Sequence, residues 1–319
     1  MQILQNIEVP TGNILIVQGE HGKLECLSLG DYGKDVNLNQ HKKVTHTDLL
    51  PLTEKWVITI STQYGCSMGC KFCDVPKVGR GLNATADDLI NQVCSAMSIH
   101  PETQNSKRLN IHYARMGEPT WNHNVITATR YLINAFGDRY MIHPVVSTMM
   151  PKSNFSLPRF LSDWVMLKNF ILDGNAGLQL SVNSTNEKER QDMFNNNAMT
   201  LQQIADVMQY IAMPKGRKYT LNFAVADYEI DPNVLLKYFS PDKYIVKLTP
   251  MHKTCAAIAN NIETEGDYTE PYAYLHHEEA LQNAGYETLT FIASEEEDAS
   301  RITCGNAILA LKGENNYAN

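Results

Sequence analysis

From Trp56 onward the chain alternates short β-type runs with helical stretches, and few folds accept that alternation, because strands separated by crossover helices pair in parallel. The candidate strands are residues 56–62, 108–113, 143–147, 177–183, 219–225, 243–249 and 287–292. Helical patterns fall between them at 84–99, 123–136, 155–164, 186–194, 200–212, 232–239 and 270–284. In the first of these, apolar residues recur at helical spacing from Asp87 to Met97, behind a capped start at Thr85 and Ala86. Six or so β/α units predict an α/β fold, an open or partial barrel whose site lies at the C-terminal strand ends.

Ahead of this pattern, residues 13–18 and 23–29 are apolar or β-branched runs divided by Gly19-Glu20-His21-Gly22, which reads as a hairpin. The polar stretch 34–48 reads as a linker. The expected organisation is therefore a small β-hairpin element with its linker over 1–50, then a barrel with a C-terminal extension over 51–319.

A chain of 319 residues with 43% hydrophobic content can bury a large core. It has no apolar run of about 18 residues, and its start lacks the basic and apolar regions of a secretory signal. A soluble, cytoplasmic protein with no membrane association is expected. Seven cysteines, three of them crowded into Cys66–Cys73, do not form a secreted disulfide framework. The formal charge of −8 excludes a global field that would draw the protein to phosphate backbones, so any RNA partner must be held by local patches. Candidate patches are Lys71, Lys77 and Arg80, then Lys107 and Arg108, then Lys215 to Lys218.

The segment Gly65-Cys66-Ser67-Met68-Gly69-Cys70-Lys71-Phe72-Cys73 places C-x3-C-x2-C directly after the first candidate barrel strand. Three thiolates can hold three irons of a cubane and leave the fourth open to an outside ligand. A structural zinc loop would need a fourth ligand, with His112 and His143 as candidates. This spacing, with an aromatic residue before the last cysteine, resembles the hallmark of the radical S-adenosylmethionine (SAM) superfamily. The resemblance implies a [4Fe-4S] cluster on Cys66, Cys70 and Cys73, reductive cleavage of SAM, and a partial (β/α)6 radical SAM barrel.

After the second strand comes Met116-Gly117-Glu118-Pro119. Taken alone, Gly-Glu-Pro is a common turn, but radical SAM enzymes carry a Gly-Glu motif there for the SAM amino group. Ser147-Thr148 and Ser181-Val182-Asn183 end the next two strands and offer hydroxyl and amide groups at the same barrel face.

Several ordered segments resemble the RlmN/Cfr family, which methylates adenine carbons in ribosomal or transfer RNA. Ser61-Thr62-Gln63-Tyr64-Gly65-Cys66 is similar to the family's Ser-Ser-Gln-x-Gly-Cys, and Arg115 to Asn122 to its Met-Gly-Met-Gly-Glu-Pro-x-x-Asn. Val146-Ser147-Thr148, Leu180 to Asn183, and Lys247-Leu248-Thr249-Pro250 match three further segments in order. Cys304-Gly305-Asn306-Ala307 resembles the family's Cys-Gly-Gln-Leu, whose cysteine is methylated, and Glu25 falls where the family keeps a proton-accepting glutamate.

What the resemblance implies is a two-stage reaction. The Cys304 thiolate takes a methyl from one SAM by displacement, and a second SAM supplies the radical that activates this S-methyl group for addition to an electron-poor ring carbon. Gly117, Glu118, Ser147, Ser181, Asn183 and His252 would contact SAM. A donor such as flavodoxin or ferredoxin would supply electrons.

The pattern also departs from the family. Its second cysteine, used for product release, falls at Thr59, and a hydroxyl cannot form the required disulfide. Either another thiol substitutes, with Cys255 the candidate and Cys26 expected to face away from the site, or release follows another route. Asn183 stands where the family has His, His252 stands where it has Asn, and residues 1–50 cannot contain the family's helical RNA-binding domain. Two other readings stay open: a diverged radical SAM enzyme acting directly on a small molecule, and an inactive cluster-bearing RNA-binding module.

Overall fold

The computed structural model describes residues 1–33, 44–263, 274–292, 296 and 307–311. The chain opens with three strands, β1 (Gln2–Val9), β2 (Gly12–Gly19) and β3 (Gly22–Leu29). Strand β4 (Trp56–Ile60) leads into a two-stranded ribbon, β5 (Gln63–Gly65) and β6 (Arg80–Asn83), and then α1 (Ala86–Ser98). The alternation continues with β7 (Ser106–Tyr113), α2 (Asn124–Phe136), β8 (Tyr140–Thr148), α3 (Leu157–Met166) and β9 (Gly177–Ser181). Next come α4 (Glu187–Met193), α5 (Leu201–Met208), β10 (Tyr219–Val225), α6 (Pro232–Tyr238) and β11 (Tyr244–Pro250). Helices α7 (Cys255–Ala259) and α8 (Leu275–Asn283), strand β12 (Thr288–Thr290) and helix α9 (Ala307–Leu311) complete the described chain.

Ten strands form one sheet in the order β1-β2-β3-β4-β7-β8-β9-β10-β11-β12, and β5 and β6 form a separate ribbon. From β4 to β12 every neighbouring pair is parallel. This is the expected α/β partial barrel. β1 to β3 are antiparallel, and β3 pairs antiparallel with β4, so the N-terminal strands continue the barrel sheet. Strand β1 was not expected from the sequence. Its residues alternate between exposed and half-buried, and its Gln and Asn side chains dilute the apolar signal of an edge strand.

The barrel wall separates two environments. Along β11 the residues facing the helices, among them Val246 and Leu248, are fully buried, whereas Ile245, Lys247 and Thr249 on the other side are half-buried. The helix side forms the main core, where Ile58, Ile111 and Leu180 pack with Leu89, Phe160 and Trp164. Each such side chain contributes roughly 1.5–3 kcal/mol on full burial. The lumen side carries polar residues, some half-buried, such as Lys247 and Thr249, and others buried, such as Asn110, His143 and Asn222.

A second, smaller core gathers Met68, Met149, Met193, Phe194 and Met251 around the cysteine loop. No helix among the described residues is long and apolar enough to cross a membrane.

Candidate active site

The three cysteines lie on the loop that the β5–β6 ribbon closes at the C-terminal end of β4. Gly65 sits at φ +82°, and a Cβ there would meet the Gly79 carbonyl at 2.1 Å, so only glycine allows the two ends of the loop to touch. The Cys66 N–H donates to the Gly79 carbonyl at 3.1 Å, and the Cys73 N–H to the Cys70 carbonyl at 3.1 Å.

Distant parts of the chain hold this loop by its backbone. Asn197 Nδ2 donates to the Met68 carbonyl at 2.7 Å, Asn260 Nδ2 to that of Lys71 at 2.9 Å, and Thr254 Oγ1 to that of Phe72 at 2.8 Å. The Lys71 N–H donates to the Met193 carbonyl at 2.9 Å. Asp74, buried just after the last cysteine, accepts the N–H groups of Cys255 and Ala256, each at 3.0 Å, and the Lys77 ammonium at 2.7 Å. The loop is therefore clamped to the C-terminal end of α4 and to α7.

Burial pushes the Cys66 thiol up to about 12 and raises Cys70 and Cys73 as well. Among the described residues, no three His, Cys, Asp or Glu side chains close on a single ion. A zinc site requires that convergence, whereas a cubane spreads its thiolate ligands over separate irons. The donor set, three soft thiols on one loop with the Met149 sulfur 3.8 Å from Cys70, fits an iron-sulfur cluster.

The Gly-Glu turn is locked to the same strand. Gly117 has φ +95°, and a Cβ on it would meet the Gln63 Cβ at 2.5 Å. The N–H groups of Thr62 and Gln63 both donate to the Met116 carbonyl, at 2.7 and 3.2 Å, and the Glu118 N–H donates to Gln63 Oε1 at 2.9 Å. The buried Glu118 carboxylate, raised by desolvation, accepts from the Thr120 N–H at 3.1 Å and hydroxyl at 2.8 Å through Oε1, and from the Met149 N–H at 3.0 Å through Oε2. With a further bond from the Thr148 side chain, these contacts fix the orientation of the carboxylate at the ends of β7 and β8.

Ser147 and Ser181 are half-buried on the lumen side of β8 and β9. Asn183 is buried at φ +62°, a left-handed conformation that suits Asn. Its side chain is used internally, accepting from the Ala224 N–H at 3.0 Å and donating to the Met193 sulfur at 3.3 Å. His252 is half-buried in the loop between β11 and α7, and Cys255 is the first residue of α7.

Glu25 is fully buried on β3 and ion-paired with Arg115, and it accepts the N–H groups of Ala307 and Ile308 at the start of α9. Anionic side chains favour that helix end. Cys26, the next residue, faces α1 instead, with its thiol 3.7 Å from the Gln92 carbonyl. Thr59 pairs with Leu27 and His112. Cys304 lies outside the described residues.

Arg190 belongs to no recognisable motif, yet this fully buried side chain ties the strand ends together. It donates to the carbonyls of Ser181 at 2.7 Å, Val182 at 2.6 Å, Met199 at 3.1 Å and Met149 at 3.3 Å, and it lies 4.8 Å over Phe194. Desolvation lowers its pKa to about 10. Arg115 is a second buried cation, compensated by the Glu25 carboxylate from a distant strand. Neither pairing is one that periodicity can show.

No family model matches the sequence. A crystal structure of a radical SAM methyltransferase from Sphaerobacter thermophilus superposes on 95% of this chain and 80% of its own, with a TM-score of 0.65 at 17% identity. That likeness places the fold among radical SAM partial barrels.

In sequence the chain is RlmN-like. It is 28% identical over 200 residues to a probable dual-specificity RNA methyltransferase RlmN of Pseudothermotoga lettingae, covering 61% of this chain and 54% of that one. To the RlmN of Syntrophotalea carbinolica it is 30% identical over 206 residues, covering 63% and 51%. The chain thus spans about half the length of these curated relatives.

Proposed function

We propose that this chain is a radical SAM methyltransferase of RlmN/Cfr type, using a methylated Cys304 to methylate an sp2 carbon of an adenine-like ring in RNA. The observation that carries this reading is the joined pair of turns at the barrel mouth. The cysteine loop and the Gly-Glu turn are hydrogen-bonded through Thr62, Gln63 and Met116, with Ser147 and Ser181 on neighbouring strands. The RNA methyltransferase names of the curated relatives support the substrate class.

In this reading Cys66, Cys70 and Cys73 hold a [4Fe-4S] cluster, which when bound supplies the electron that starts radical cleavage of SAM. Gly117 lets backbone approach the cofactor, and Glu118 receives its amino group. Ser147, Ser181, Asn183 and His252 complete the SAM contacts. Arg190 keeps the β8 and β9 ends in register. Glu25, with Arg115, secures the N-terminus of α9, which starts three residues after Cys304. Cys255 is the remaining candidate for a release thiol. A flavodoxin or ferredoxin in the cytoplasm would reduce the protein.

The test is anaerobic incubation of reconstituted protein with methyl-labelled SAM and RNA, followed by mass spectrometry of the Cys304 peptide. Label on Cys304 that passes to RNA is the expected result. An unlabelled Cys304 in protein that still releases 5′-deoxyadenosine overturns the methyl-transfer reading.

Thr59 favours a second reading, since no thiol stands at that point of β4. The deoxyadenosyl radical would then act directly on the substrate, and Cys304→Ala protein would still consume SAM and turn over.

A further inference from the structure

The barrel lumen holds a set of cations that the methyl-transfer chemistry does not use. These are Arg108 on β7, Lys247 on β11 and Arg217 just before β10, and the sheet registers bring them, with the neutral His112 of β7, to one side of the wall. Asn110 is opposite His143, and Asn222 is opposite both Ser181 and Lys247. The guanidinium of Arg217 reaches across β9, where a Cβ on Gly177 would come 3.1 Å from its Nη1. His112 feels Lys247, Arg217, Lys55 and Arg108 together, and these charges with burial lower its pKa to about 3. Residues from at least three strands therefore face one common space.

No carboxylate among the described residues forms an ion pair with Arg108, Arg217 or Lys247, although the neighbouring Lys55 is paired with Asp31 at 2.6 Å. Arg108 reaches the Asn110 amide oxygen at 3.1 Å, and Lys247 lies 5.3 Å from the Phe291 ring. Lys247 feels the charge of Asp31, but that carboxylate is already bonded to Lys55, so the clustered, partly desolvated cations are under-compensated and call for an anion.

A second observation points the same way. His143 Nε2, Asn222 Oδ1 and Thr220 Oγ1 lie on the lumen side, in side chains more than nine-tenths buried, and none has a hydrogen-bond partner. Buried polar atoms are normally satisfied, so this set is arranged for something that fills the space between them. Two arginine forks and an ammonium exceed what one carboxylate balances and match a phosphate dianion.

We infer that the barrel lumen is a binding site for the phosphate group of a small molecule, held by Arg108, Arg217 and Lys247 with His143 and Asn222 as neutral partners. Lys247 lies three residues before the C-terminal end of β11, which is about 10 Å below the mouth. A phosphate monoester bound there would point its organic part toward the cysteine loop. This site stands independently of methyl transfer, because it needs neither cluster nor Cys304.

The test is calorimetric titration of the full-length protein with inorganic phosphate, adenosine 5′-monophosphate and adenosine, repeated on Arg217→Met and Lys247→Met. Thermal unfolding of each unliganded protein is followed in parallel. Saturable binding of phosphate and the nucleotide, but not adenosine, is expected, and each variant should weaken it by at least about tenfold. The variants should melt no lower than the parent without ligand, since each removes an uncompensated charge. A nucleotide that binds more tightly than phosphate assigns the ester as the ligand, and equal affinities assign free phosphate. Absence of phosphate binding, or binding unchanged in both variants, overturns the site. So does a short RNA oligonucleotide that binds in a Lys247-dependent way while phosphate and mononucleotide do not.

Discussion

The two apolar cores of this molecule are built from different materials. Between sheet and helices the residues are branched and aromatic, such as Ile58, Leu180, Phe160 and Trp164, which have few rotamers and lock one arrangement. Around the cysteine loop, Met68, Met149, Met193 and Met251 dominate, and their flexible thioethers fill irregular space. The difference separates two tasks. The large core holds the barrel, while the small one packs the cysteine loop.

The largest effect expected is for Trp164→Ala. Its indole is fully buried, donates to the Gly177 carbonyl at 3.0 Å and meets Tyr113 edge-on at 6.0 Å. Removal should cost about 3–5 kcal/mol in chemical denaturation while iron bound per folded chain stays unchanged. A fall in iron content in step with stability would break the distinction between the cores.

Arg190→Leu comes next, because four carbonyls lose a donor and only part of that is offset by removing a desolvated charge. A loss on the order of 3 kcal/mol is expected, with reduced iron incorporation, since this side chain bridges the strand ends and Phe194. Asp74→Asn should cost about 1–2 kcal/mol, but it should lower iron incorporation far more than its stability loss alone. Equal iron content in parent and variant would show that the clamp on α7 is dispensable.

The smallest effect is expected for Met149→Leu, below about 1.5 kcal/mol in stability. Faster loss of iron to a chelator would be its signature, because the Met149 sulfur touches Cys70.

How much of this was legible in the sequence depends on the range of the interaction. Strands such as 219–225 and helices such as 124–136 could be read because their apolar periodicity is local, and the cysteine spacing is local too. The methionine core could not be read, since its members are scattered from Met68 to Met251 and each looks like an ordinary core residue. The lumen cations were equally invisible. Lys107 and Arg108 looked like one surface patch, yet strand alternation leaves Lys107 exposed and sends Arg108 to the lumen. In the segment before β10, Lys215 is exposed whereas Arg217 is half-buried against Gly177. Short elements such as α7 and the β5–β6 ribbon are set by Asp74 and by the Gly65–Gly79 contact, not by periodicity.

The contact between Gly117 and Gln63 leaves no space for even one methyl group. The cysteine loop and the Gly-Glu turn therefore behave as one rigid casting: neither can shift without dragging the other. On the proposed function, drift in substrate preference would be accommodated elsewhere on the rim, at loops such as the one from β11 to α7, while the joined pair of turns is inherited whole.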